Sequence, residues 1–221
     1  MNTTLTLVSL VLATSLSKGI EQKNIPSSPK FIQKDEHTIL LDVPFVNQIN
    51  DLPESAKQLI KGSACGPASL TMAFNYYGQN LSLYEVIQKL PASVYVKGER
   101  FYQLQKGPDY FGFKSRSFKN SPQNIYNALE EGNPVILNLQ NYDGITGHAV
   151  VVVGIKNYTD GRADSLIIND PFRERNMEFA YIDANHLKQP EGYVNSIGTL
   201  DPFYILPEKT NSVPNDLIPL S

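Results

Sequence analysis

The chain has 221 residues, 41% of them hydrophobic and 19% charged, a balance that excludes collagen-like, coiled-coil and wholly disordered architectures. Its 19 Lys and Arg against 22 Asp and Glu give a formal net charge of -3, which leaves no basic footprint for a nucleic-acid backbone. One cysteine excludes an internal disulfide, and no Cys/His cluster has the spacing of a structural zinc site.

Residues 5–16, LTLVSLVLATSL, form an apolar run too short to span a bilayer core of roughly 30 Å. With small residues and Lys18-Gly19 after it, the run reads as the core of a signal peptide over residues 1–19, a buried N-terminal helix or a retained anchor being the other readings. The expected location is therefore secreted, periplasmic or at the cell surface, with no membrane span beyond this signal or anchor. Residues 20–38 are polar, contain Pro26 and Pro29, and read as a linker. One domain is expected over residues 39–206, and residues 207–221, with Pro207, Pro214 and Pro219, read as an extended tail.

Within that domain the pattern changes partway along. ILLDVPFVNQ opens it as a strand running into a loop, and a helix is expected from Cys65 to Tyr77, with Leu70, Phe74 and Tyr77 on its apolar face and Gly78 as terminator. Ser82-Leu83-Tyr84-Glu85 is a capping box for a second helix reaching about Leu90. Ser121 as N-cap, Pro122 at the first helical position and Gly132 past the end bracket a third. The segment from Gln79 to Lys119 otherwise carries no motif. After Gly132 the signal turns to strand, at 134–140, 148–155, 165–170 and 203–206, and the valines at 150–153 mark a strand buried on both faces. Helices followed by strands give an α+β fold with an antiparallel sheet.

Cys65 stands among small residues, Gly62-Ser63-Ala64-Cys65-Gly66-Pro67, at the first turn of the first good helix. The helix N-terminus stabilises a thiolate, and Gly66 is expected to let a substrate backbone approach, so Cys65 is a candidate nucleophile, a bland buried cysteine being the alternative. Of the three histidines, His37 lies in the linker and His186 in YIDANHLKQ, which resembles a surface helix. His148 instead opens the central strand after Thr146-Gly147, where an imidazole can serve as base. The next strand ends in Asn169-Asp170-Pro171, and neighbouring residues of a strand face opposite ways, so either Asp170 or Asn169 can orient the ring, unless the tripeptide is only a turn. Oxyanion donors would be the Cys65 backbone amide and the side chain of Gln48.

These pieces occur in order: V-P-F-x-x-Q at 43–48, A-C-G-P-A-S-L-x-M-x-x-N-Y-Y-G at 64–78, G-N-P-V-I-L-N-L at 132–139, G-H-A-V-V-V-V-G at 147–154 and N-D-P at 169–171. Together they resemble the double-glycine leader peptidase-like proteins, papain-like cysteine peptidases related to the proteolytic domains of bacteriocin-processing transporters. The resemblance implies a papain-like fold with nucleophile Cys65, base His148, orienting Asp170 and oxyanion donor Gln48. It implies a peptide or protein substrate and no cofactor or metal. Transporter-linked members also carry membrane and nucleotide-binding domains, which these residues do not encode, so coupling to export is not carried over. A transpeptidase using the same acyl-enzyme, a non-catalytic binding module on this scaffold, and a redox-sensing thiol are the competing expectations.

Overall fold

The structure, a computed structural model, describes residues 29–94 and 101–208. The expected export signal at 1–19, the linker before residue 29 and the tail beyond residue 208 lie outside the described residues. Two short strands come first, β1 (Phe31–Lys34) and β2 (Ile39–Leu41), then helices α1 (Glu54–Ile60), α2 (Cys65–Tyr76), α3 (Leu83–Lys89) and the single turn α4 (Phe101–Leu104). Strand β3 (Phe113–Ser117) and helix α5 (Pro122–Glu130) precede β4 (Val135–Gln140), β5 (His148–Lys156), β6 (Ser165–Asn169), β7 (Met177–Asp183), β8 (His186–Lys188), β9 (Val194–Ile197) and β10 (Phe203–Pro207).

The helices begin and end where their sequence signals stand. At α3 the Glu85 N–H donates to the Ser82 hydroxyl at 3.2 Å, and the Glu85 carboxylate accepts the Ser82 N–H at 2.8 Å. At α5 the Ser121 hydroxyl accepts the Asn124 N–H at 3.1 Å, and Gly132, with φ of +83°, supplies the left-handed turn that ends it. Helix α2 is buried from Gly66 through Phe74 and again at Tyr76, so it runs through the interior rather than along a surface. It packs on β5 and against α3 and α4, while α5 packs on β2, β4 and β5.

Every ladder in the sheet is antiparallel. The chain of pairings β5–β6–β7–β8–β9–β4 returns to β5, so the sheet closes into a barrel and these strands have no free edge over that span. Strand β5 is long enough to be shared: its start pairs with β4, and its end, at Gly154 and Ile155, pairs with β2. Gly154 is required there, because a Cβ would stand 2.6 Å from the Ile39 carbonyl oxygen.

Two expectations need correction. The sheet is not confined to the C-terminal half, since β1, β2 and β3 precede residue 132, and β1 lies inside the stretch read as linker. Both β1 and β3 sit at the sheet's ends with mostly exposed side chains, so neither carries an apolar alternation for a sequence reading to find. His186 lies not on a helix but on the β7–β8 hairpin, where the Asp183 carboxylate accepts the Asn185 N–H at 2.8 Å and reverses the chain.

Candidate active site

Helix α2 and strand β5 meet at their first residues. The buried Ser69 hydroxyl, one turn into α2 from Cys65, donates to the Ala149 carbonyl at 3.2 Å and ties the helix to the strand's opening. Cys65 is the first residue of α2 and His148 the first of β5, so this contact sets their side chains face to face. Each shifts the other's ionisation, through hydrogen bonding and charge. Cys65 is half-buried, whereas His148 is only 3% exposed.

Strand β6 runs antiparallel to β5, with Asn169 opposite Val151, so the chain leaving β6 passes back beside the start of β5. Asp170, the next residue, is fully buried, and its Oδ1 lies 2.7 Å from His148 Nε2. An ionised carboxylate only accepts, so Nε2 carries the proton and Nδ1 is left for the thiol. Asn169 faces elsewhere: its Nδ2 donates to the Val43 carbonyl at 3.3 Å and its Oδ1 accepts the Asn176 N–H at 2.9 Å. Of the two candidate partners, Asp170 is therefore the one that reaches the ring, while Asn169 braces the loop leading to Gln48.

Burial opposes charge on all three groups, and their mutual contacts override it. Burial pushes the Cys65 thiol up, but the hydrogen bond and charge of His148, with the amides of Ala149 and Gly66, hold it below its ordinary value. Burial disfavours the imidazolium, yet Asp170 and Cys65 raise His148 to about 9. Asp170, which burial alone would raise, is held low by His148, the Tyr142 hydroxyl and the Phe172 amide. The three shifts run in the direction of thiolate, imidazolium and carboxylate, the arrangement that a thiol paired with a base requires.

Gln48 is buried at 4% exposed, on the loop after β2, and its N–H donates to the Pro171 carbonyl at 2.8 Å. The turn that carries Asp170 thus also fixes the backbone of Gln48. A Cβ at Gly66 would stand 2.9 Å from a Leu104 methyl, so the glycine lies close against α4.

Sequence reasoning missed the far side of Asp170. Tyr142 is fully buried, its hydroxyl donates to Asp170 Oδ2, and its ring lies over His148 with centroids 4.1 Å apart. The Phe172 N–H donates to Asp170 Oδ1 at 2.9 Å, and the Phe172 ring stands edge-on to His148 at 6.5 Å. Tyr142 belongs to Asn141-Tyr142-Asp143-Gly144, which reads only as a polar turn; no periodicity or spacing marks it. Among the described residues no group of three or more His, Cys, Asp or Glu side chains is arranged to hold a metal ion. No described helix is long and apolar enough to cross a membrane.

The model of the Peptidase_C39 like family matches residues 40–195, a span that includes Cys65, His148, Asp170 and Gln48. Among solved structures, the chain is similar to a double glycine motif protease from an AMS/PCAT transporter in complex with the leader peptide, at 19% identity and a TM-score of 0.43 over 71% of this chain and 84% of that one. It is also similar to the peptidase domain of Streptococcus ComA, a bi-functional ABC transporter involved in a quorum sensing pathway, at 20% identity and a TM-score of 0.42 over 66% of this chain and 93% of that one. No curated protein matches significantly.

Proposed function

From the premise that the chain belongs to the Peptidase_C39 like family and is a cysteine peptidase-like hydrolase, we propose that it cleaves a peptide amide through Cys65, His148 and Asp170. The observation that carries this reading is the 2.7 Å contact between His148 Nε2 and the buried Asp170 carboxylate, with Cys65 at the facing start of α2, its thiol lowered and the imidazole raised.

The Cys65 thiolate attacks the carbonyl carbon, forming the C–S bond and moving an electron pair onto oxygen. The oxyanion takes donors from the Cys65 backbone amide at the start of α2 and from the Gln48 side chain. His148 gives its proton to the amine nitrogen as the C–N bond breaks, and the amine leaves. Water then loses a proton to His148 and attacks the thioester; the C–S bond breaks and the thiolate is restored. Asp170 keeps the ring in one tautomer and stabilises its charge throughout. We place this activity outside the cytoplasm on the strength of the apolar run at 5–16, which N-terminal sequencing of the mature protein checks.

The test is the pH dependence of Cys65 alkylation by iodoacetamide in wild type and His148→Ala. Reactivity persisting below pH 6, and lost from that range in the variant, supports the pair and justifies a peptide-library search for substrate. A thiol titrating near 8.5 in both proteins, or inert while folded, overturns the reading in favour of a non-catalytic binding module.

A further inference from the structure

At the second oxygen of Asp170 the site extends beyond Cys65, His148 and Gln48. A buried carboxylate with one partner remains costly, because its other lone pairs face a low-dielectric interior. Here each oxygen has its own donors: His148 Nε2 and the Phe172 N–H on Oδ1, and the Tyr142 hydroxyl on Oδ2.

Tyr142 is held from several directions. Its loop turns back at Asn141 and Asp143, with φ of +57° and +46°, conformations that Asn and Asp tolerate better than most residues. Tyr142 and Ile145 close the turn, their N–H groups donating to each other's carbonyls at 3.2 and 2.7 Å. The Asn141 carbonyl accepts from Asn195 Nδ2 at 3.1 Å, and the Asn195 side-chain oxygen accepts from Gln189 Nε2 at 2.6 Å, so a buried amide relay from β9 and the end of the β8 segment anchors the loop. From the third side the Arg173 guanidinium lies 5.6 Å from the centre of the Tyr142 ring, paired with Asp143 and with Glu191.

We infer that Tyr142 is a positioning residue for the proposed reaction: its hydroxyl fixes and satisfies the Asp170 carboxylate, and its ring seats His148, so that the imidazole stays aligned and charged beside Cys65. This rests on the thiolate–imidazolium reading above. The phenol is suited to a permanent donor role, because burial and the Asp170 charge push its ionisation far above the ordinary range. The groups facing Asp170 are His148 from β5, Tyr142 from its loop and the Phe172 amide from the following turn. Cys65 lies beyond His148, and the Arg173 charge with its partners Asp143 and Glu191 lies beyond Tyr142.

Removing the hydroxyl leaves the carboxylate less stabilised in its charged form, so the coupled cluster takes up a proton at higher pH. The experiment is the pH profile of Cys65 alkylation in wild type, Tyr142→Phe and a protein with 3-fluorotyrosine at position 142, each with its thermal midpoint. The acid limb should rise by about half a unit to one unit in the Phe variant, which keeps the ring, and fall with the more acidic fluorophenol, which donates more strongly. The opposed signs are what a merely structural role would not produce, and the fluorinated protein keeps the test available if the Phe variant fails to fold. If wild type shows the His148-dependent acid reactivity and the substituted proteins superimpose on it, the role of Tyr142 is overturned while the hydrolase reading stands. If wild type lacks that reactivity, the hydrolase reading fails first.

Discussion

The two sides of the His148 ring are built differently. On one side Cys65 sits half-buried at a helix end, where the dipole, the ring and two backbone amides favour its ionised form. On the other side Asp170 is fully buried, and a ring nitrogen, a backbone N–H and a phenol occupy its oxygens. In the proposed reaction a nucleophile must meet a substrate, which suits the partly accessible Cys65, and an orienting group must not move, which suits an Asp170 whose hydrogen bonds are completed in the interior. Substitutions on the first side should therefore remove activity at little cost in stability, and substitutions on the second should cost both.

The largest effects test the open side. Cys65→Ala and His148→Ala should each abolish peptide turnover, a loss of roughly 10⁴-fold or more, and Cys65→Ala should leave the thermal midpoint within a few degrees of wild type. Loss of folding in Cys65→Ala would erase the contrast between the two sides. Asp170→Ala should lower turnover by at least about 10²-fold and also destabilise the fold by about 1–3 kcal/mol, since three donors lose a buried acceptor. Asp170→Asn, whose amide oxygen can still accept from Nε2, should be milder in both, as denaturant melts and initial rates will show. Gln48→Ala should reduce kcat/KM by about 10²-fold with the fold intact, the signature of a donor to the oxyanion.

The pH dependence sharpens the same comparison. His148, raised to about 9, contributes stability that is fully present below its unfolded value near 6.5 and is lost as pH rises through about 9. Asp170, held below its ordinary value, contributes stability present above about 3.9 and lost as pH falls through its lowered folded value. Thermal melts from pH 3 to 10 should show both losses in wild type, and Asp170→Asn should weaken the acid one, leaving the part due to the lowered Cys65 thiol. The smallest effect is a control remote from the site: Ser82→Ala breaks the capping box of α3, costs about 1 kcal/mol and leaves kcat/KM unchanged.

Much of this was legible because the signals are local. Caps at Ser82 and Ser121, the terminating glycine at 132 and the valine run in β5 each report a backbone need met within a few residues, and the corresponding elements stand where those signals put them. Strands β1, β3, β7, β8 and β9 were not read, because segments with at most two buried side chains each draw their stability from partners distant in sequence. The sheet's closure is of the same kind: nothing in β9 announces that β4 will accept it.

The sequence by itself determined which residues could carry chemistry: one cysteine at a helix start, a histidine opening a buried strand, and Asn169-Asp170 at the end of the next. Only the tertiary structure decided between those two neighbours, since the choice depends on which face of β6 meets the ring and which meets the loop at Val43. It alone also brought in Tyr142, whose turn carries no pattern and whose hydroxyl reaches Asp170 only because the loop before β5 folds back onto the chain leaving β6. Local propensity acts within a few residues along the chain, whereas a hydrogen bond between side chains 28 positions apart exists only once the strands between them have paired.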